Sequence, residues 1–162
     1  MVAGLDSPLI RYADRKDAPM WCHKILVAYD GSAPSHRALE VMREIAQSNP
    51  AAEVVLVHVM RLFSSGSAAA GMDTVMVEDA MAIRRELEAI AAELPNPAEV
   101  KVLKGTSPAD LIVNCAKDEG CDLIIMGSRG QGGVKGFLGS VSYAVTKESP
   151  ITVLIAKEGA YR

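Results

Sequence analysis

Apolar residues recur along this chain in two alternating rhythms. From Lys24 onward, short runs that are almost continuously aliphatic alternate with longer stretches whose apolar residues return every three or four positions. The short runs are KILVAYD (24–30), AEVVLVHVM (52–60), CDLIIM (121–126) and ITVLIAK (151–157). A short aliphatic run bounded by turn formers fits a strand covered on both faces, and the longer repeat fits a helix with one buried side. In APSHRALEVMREIAQS, Ala38, Val41, Met42 and Ile45 share one helical face, with Ser32 as N-cap and Pro34 in the first turn. Ala80, Ile83, Leu87, Ile90, Ala91 and Leu94 do the same in a helix expected over 74–93, which Pro95 and Pro97 end. A third helix carries Ala109, Ile112, Val113 and Ala116 inward, with Ser107 as cap, Pro108 first, Asp110 near its positive end and Gly120 as its stop. AEVKVLKG (98–105) alternates more regularly, as an edge strand does, and VSYAVTKES is a last short helix before Pro150.

The resulting order is β-α-β-α-β-α-β-α-β. It predicts an α/β protein: a single, doubly wound, five-stranded parallel sheet with helices on both faces. In such sheets ligands sit beyond the carboxyl ends of the strands, where the winding reverses. Two loops at strand ends carry unusual chemistry: YDGS after the first strand and GSRGQGGVKGFLGSVS after the fourth. If those two strands are neighbours, the strand order is 3-2-1-4-5 and both loops meet in one crevice.

Composition narrows the function. The chain has 162 residues, one ordinary domain. We place that domain at 22–162 and read 1–21 as a loose N-terminal arm with charges and prolines but no apolar core of a secretory signal. A net charge of -3 provides no basic stripe for nucleic acid. No apolar run approaches the roughly 18 residues of a membrane span. Cys22, Cys115 and Cys121 are odd in number and lack a C-x-x-C spacing, which argues against a disulfide framework or a structural zinc and for a reducing, cytoplasmic setting. His23, His36 and His58 are scattered, and His58 reads as a hydrogen-bonded core histidine. There is no Ser-His-Asp or metal-ligand spacing, and no residue is assigned a catalytic role or a protein-borne metal.

The glycine loop has six glycines in sixteen residues, which turn geometry alone does not require. Backbone N–H groups gathered before a helix, together with its dipole, bind anions. Gly127, Gly130 and Gly139 are expected to let the backbone approach phosphate oxygens, Ser140 and Ser142 to add hydroxyl donors, and Arg129 and Lys135 to add positive charge. The string is not a Walker A loop, and a G-x-G-x-x-G match fails at Lys135. SSGSAAAG (64–71) reads as a mobile surface loop.

Taken together, KILVAYDGSAPSHRALE, VVLVHVM, KGTSPADLIVNCAKDEGCDLIIMGSRG and GSVSYAVTKESPITVLIAK resemble the universal stress protein family over 24–157. The resemblance implies a 3-2-1-4-5 sheet, commonly a homodimer, and in one branch ATP binding through G-x-x-G-(nine residues)-G-[ST]. Gly127 and Gly130 match the first half of that signature, and Gly139 and Ser140 match its end. Eight residues rather than nine separate Gly130 from Gly139, so the middle of the loop takes a tighter path. Asp30 matches the aspartate that meets adenosine, Ala28 flanks the adenine, and Val59 matches an apolar wall for the base. Met126, Val141 and Ser142 complete the set, with Met126 reading equally as core.

The resemblance implies a nucleotide-binding regulatory protein of the stress response, taking ATP, or AMP or ADP, with Mg2+ accompanying the nucleotide and an unidentified protein partner. Two alternatives stay open. One is a slow ATPase, although no water-positioning residue is evident. The other is a nucleotide-free dimeric scaffold. In either dimeric reading the strand at 151–156 is the natural seam, because an apolar edge strand invites pairing.

Overall fold

This computed structural model describes residues 22–62, 69–130 and 137–158. The strands are β1 (Lys24–Ala28), β2 (Glu53–Arg61), β3 (Ala98–Gly105), β4 (Leu123–Gly127) and β5 (Thr152–Ala156). The helices are α1 (Ala33–Ser48), α2 (Ala69–Glu93), α3 (Pro108–Asp118) and α4 (Ser140–Glu148). One parallel sheet results, in the order β3-β2-β1-β4-β5, with Val27 in register with Leu56 on one side and Ile125 on the other. This is the predicted topology. β1 and β4 are buried along nearly their whole length, which is why their sequences run continuously apolar.

Alternation along each strand divides the core into two layers. Ile25, Val27, Val54, Leu56, Leu123 and Ile125 face α1 and α2, where Ala38, Leu39, Met42, Ala46 and Leu87 meet them. Leu26, Ala28, Val55, Val57, Ile124 and Met126 face the opposite layer, with Ala109, Ile112, Val113 and Ala116 of α3 and Val145 of α4. The two layers share no side chain, so a one-residue slip in any strand would exchange them wholesale.

Several local expectations change. The buried stripe of α1 is centred on Ala38, Leu39, Met42 and Ala46, while Val41 and Ile45 are only half-buried at its margin. The second helix begins at Ala69 rather than near Thr74, so 69–71 of the expected loop are helical, and 64–68 lie outside the described residues. Alanine is the strongest helix former, and Ala69 and Ala70 at the helix start offset Gly71. Ser107 occupies the N-cap of α3 but its side chain makes no cap bond, whereas Ser32 caps α1 by accepting from the Ser35 N–H. Gly120 ends α3 as expected, at φ +66°. Its N–H donates to the Lys117 carbonyl and that of Cys121 to Ala116, a Schellman closure. The arm read at 1–21 lies outside the described residues.

The amino ends of the strands are tied by polar groups. The Asp122 carboxylate accepts from the His23 and Lys24 N–H groups at 2.8 and 3.1 Å. Glu119 joins Lys24 at 2.9 Å and Lys101 at 2.7 Å, and these reach on to Glu53 and Glu99. The Asn96 amide donates among the carbonyls of Ala46, Asn49 and Ala52, and Asn49 donates to the Cys22 carbonyl. All three cysteines are free thiols. Burial pushes the Cys22 thiol up to about 11 and that of Cys121 up to about 12, so neither is poised as a nucleophile.

Candidate functional site

At the carboxyl end of β1 the chain must leave a fully buried strand and turn at once into α1. The Tyr29 N–H still follows the sheet, donating to the Val57 carbonyl at 2.8 Å. Asp30 then closes a tight turn, its Oδ1 accepting from the Ser32 N–H at 3.0 Å, with Gly31 at φ +78°. The Ser35 hydroxyl donates to the Ser32 carbonyl at 2.9 Å. The His58 imidazole braces the same turn from β2. Its Nδ1 lies 2.9 Å from the Tyr29 carbonyl, which can only accept, so Nδ1 carries the proton. His58 is thus the hydrogen-bonded core histidine its surroundings in the sequence imply.

The β4 end is held against this turn by three close approaches. A Cβ at Gly127 would lie 2.7 Å from the Pro34 carbonyl carbon and 2.8 Å from the Ser35 nitrogen, inside the first turn of α1. A Cβ at Gly130 would lie 2.7 Å from Asp30 Oδ2, and one at Gly139 would lie 3.3 Å from the Arg129 Cα. The glycines were expected to admit phosphate. Their immediate reason is that two loops and a helix start approach one another within van der Waals contact.

Ser142 also differs from expectation. Its buried hydroxyl faces the Ser128 carbonyl at 2.7 Å and that of Gly139 at 3.0 Å, so its proton braces the loop rather than awaiting a ligand. The Ser128 carbonyl also accepts from the Gly139 N–H at 2.8 Å, and Ser32 Oγ donates to the Arg129 carbonyl at 3.3 Å.

These contacts enclose a cavity of about 400 Å³, within the roughly 300–1,000 Å³ typical of small-molecule sites. Ala28, Asp30, Val59, Met126, Gly127, Arg129, Gly130, Gly139, Ser140, Val141 and Ser142, the candidate residues read from the sequence, all border it. Lys135 lies outside the described residues. Tyr29, Ser35, Val57, Pro108 and Ile112 border it too and were not anticipated. Three of these had a legible signal. Val57 stands two residues before Val59 on the same side of β2, and Pro108 and Ile112 are one helical turn apart.

The lining divides by chemistry. Ala28, Val57, Val59, Ile112 and Met126 form an apolar wall. The start of α4 borders the cavity as well. The first intrahelical bond there runs from the Tyr143 N–H to the Gly139 carbonyl at 2.9 Å, which leaves the N–H groups of Ser140, Val141 and Ser142 without helical partners. Arg129 adds a guanidinium whose side chain is only 10% exposed. Its Nη2 lies 3.4 Å from Glu158, and its Nη1 is buried with no hydrogen-bond partner among the described residues. A cavity bordered by apolar side chains, a carboxylate turn and orphan donors fits a flat base joined to an anion.

Beside the cavity, the Tyr29 hydroxyl donates to Glu86 at 2.6 Å and meets the His36 ring at 3.0 Å. Burial, then the Glu86 carboxylate, holds its pKa well above the usual phenol range, so it stays protonated. Among the described residues no group of three His, Cys, Asp or Glu side chains could hold a metal ion, and no helix is long and apolar enough to cross a membrane.

Residues 22–157 match the Universal stress protein family. A universal stress protein of Thermus aquaticus is 34% identical over 137 residues, covering 82% of this chain and 97% of that protein. The solved structure of hypothetical protein MJ0577, whose sequence belongs to Methanocaldococcus jannaschii, superposes with a TM-score of 0.73 at 31% identity, covering 86% of this chain and 98% of the other. A universal stress protein solved in complex with cAMP superposes with a TM-score of 0.61 at 27% identity, covering 85% and 98%.

Proposed function

The chain belongs to the universal stress protein family, and we propose that it is a regulatory member that binds an adenine nucleotide in the cavity between the β1 and β4 ends. The observation that carries this reading is the mixed chemistry of the lining. The apolar wall suits adenine, the Asp30 carboxylate suits ribose hydroxyls as an acceptor, and the α4 amides with Arg129 suit phosphate. The cAMP complex of a 27% identical relative supports an adenine nucleotide as the ligand class. The glycine signature read from the sequence favours ATP, with AMP and ADP as the other candidates, and Mg2+ would arrive with the phosphates. Among the described residues that border the cavity, Asp30 is the one carboxylate and is assigned to the ribose, so binding rather than hydrolysis is the proposed output.

The test is direct. Protein purified without added nucleotide is denatured, and the released small molecule is identified by mass spectrometry. A stoichiometric adenine nucleotide, lost from Gly130→Ala, is the expected result. Protein that is empty and also ignores added AMP, ADP and ATP would remove the reading.

We further propose a cytoplasmic homodimer paired through β5, whose Val153, Leu154 and Ile155 are only half-buried at the sheet edge. A protein partner would then read the occupied state. Val153→Lys should yield monomers by size-exclusion chromatography with light scattering. An unchanged dimer would put the interface elsewhere.

A further inference from the structure

Register carries an ion pair into the glycine loop. β4 and β5 pair Gly127 with Ala156, and the Ser128 N–H continues the ladder to the Ala156 carbonyl at 2.7 Å. Two residues further along both segments, the same register sets Arg129 beside Glu158, and their side chains meet at 3.4 Å. The partners differ sharply in burial: the Arg129 side chain is 10% exposed and that of Glu158 is 50% exposed. A guanidinium offers five N–H donors, yet among the described residues this one makes a single long ionic contact and leaves Nη1 buried without a partner. Such a group is under-satisfied, and a phosphate oxygen pair would suit it better than one distant, half-solvated carboxylate.

We propose that Glu158 competes with the phosphates of the bound nucleotide for Arg129, and so biases the site against the more highly charged nucleotides. This rests on the nucleotide reading above. Removing the carboxylate would free Arg129 entirely for the ligand. The benefit grows with ligand charge, because each added phosphate charge interacts with the full guanidinium charge across a partly buried path.

The experiment is calorimetric titration of AMP, ADP and ATP, without divalent cation, into the wild type, Glu158→Gln, Glu158→Asp, and Glu158→Gln combined with Arg129→Gln. Glu158→Gln should tighten ATP about five- to tenfold, ADP less and AMP least. The gain should shrink at 0.5 M salt, where screening is stronger. Glu158→Asp withdraws the carboxylate by one methylene while keeping its charge, and should give part of the gain. With Arg129→Gln in place, the further change at Glu158 should have little effect. An ATP-to-AMP affinity ratio unchanged by Glu158→Gln would overturn the proposal while leaving nucleotide binding intact. The same gain with and without Arg129 would also overturn it, since Glu158 would then act as general surface repulsion. If Arg129→Gln melts early, Glu158→Asp decides alone, because general repulsion would leave its affinities at the wild-type values. A wild type that binds none of the three nucleotides removes the nucleotide reading and this proposal with it.

Discussion

The two ends of this sheet are built from the same five strands and behave oppositely. At the amino ends, charged groups are matched. Glu119 sits between Lys24 and Lys101, those lysines reach Glu53 and Glu99, and Asp122 holds two backbone N–H groups. At the carboxyl ends, donors outnumber acceptors, with three helix-start amides of α4 and the Arg129 Nη1 lacking protein partners among the described residues. One atom breaks the contrast: the Asn96 Oδ1 is buried and unpartnered at the amino end, although its amide nitrogen is richly bonded. A parallel sheet makes this polarity natural. Every strand delivers its chain to the same edge, and the helices that follow present their positive ends there. One edge can therefore be saturated for stability while the other is left for a ligand.

The contrast can be broken most severely at Gly127. Gly127→Ala puts a methyl against α1 backbone that cannot swing aside, so it should lose about 1–3 kcal/mol of stability, as measured by urea unfolding. It should weaken nucleotide binding as well. Unchanged stability would mean that the approach of β4 to α1 is looser than its geometry.

The caps give the next largest effect. Ser32→Ala removes a cap bond and the contact to the Arg129 carbonyl, and should cost about 1 kcal/mol. Ser107→Ala removes no cap bond and should cost less than about 0.5 kcal/mol. Thermal unfolding of the pair checks this, and equal losses would contradict it.

Glu119→Gln sharpens the comparison from the other end. The pairs are partly exposed, so the loss should be about 1 kcal/mol or less, with no change in nucleotide affinity. The hydrogen bonds from Lys101 and Lys24 hold the folded carboxyl below its ordinary range. Its contribution is therefore present above the unfolded carboxyl pKa and disappears as pH falls through the folded one. The gap between wild type and Glu119→Gln should accordingly close on acidification. A gap that stays constant down to pH 3 would deny Glu119 this role.

Legibility in the sequence followed the range of the interaction. Residues such as Val27 and Ile125 belong to runs whose periodicity is local, and the five strands and their parallel order followed from it. Gly127, Gly130, Gly139, Ser140 and Ser142 were legible as glycines and a helix start, positions defined by chain neighbours, whereas Ala28, Asp30 and Val59 were read from the family resemblance. The early start of α2 was missed because Ser64, Ser65 and Ser67 and the glycines Gly66 and Gly71 flank the alanines and read as loop. The partner of the Ser142 hydroxyl was not legible because its acceptor, Ser128, lies across a loop.

By itself, then, the sequence determined the α/β class, the division of apolar residues between strands and helices, and the two loops that carry the chemistry. These depend on periodicity and on glycine, proline and cap residues acting over a few positions. Only the tertiary structure decided which donors and acceptors are spent and which remain. Ser142 is satisfied by Ser128, Asp30 by its own turn through Oδ1, and Arg129 is left half-met beside Glu158. Hydrogen bonds need atoms within about 3 Å, and here those atoms come from residues that only the sheet brings together.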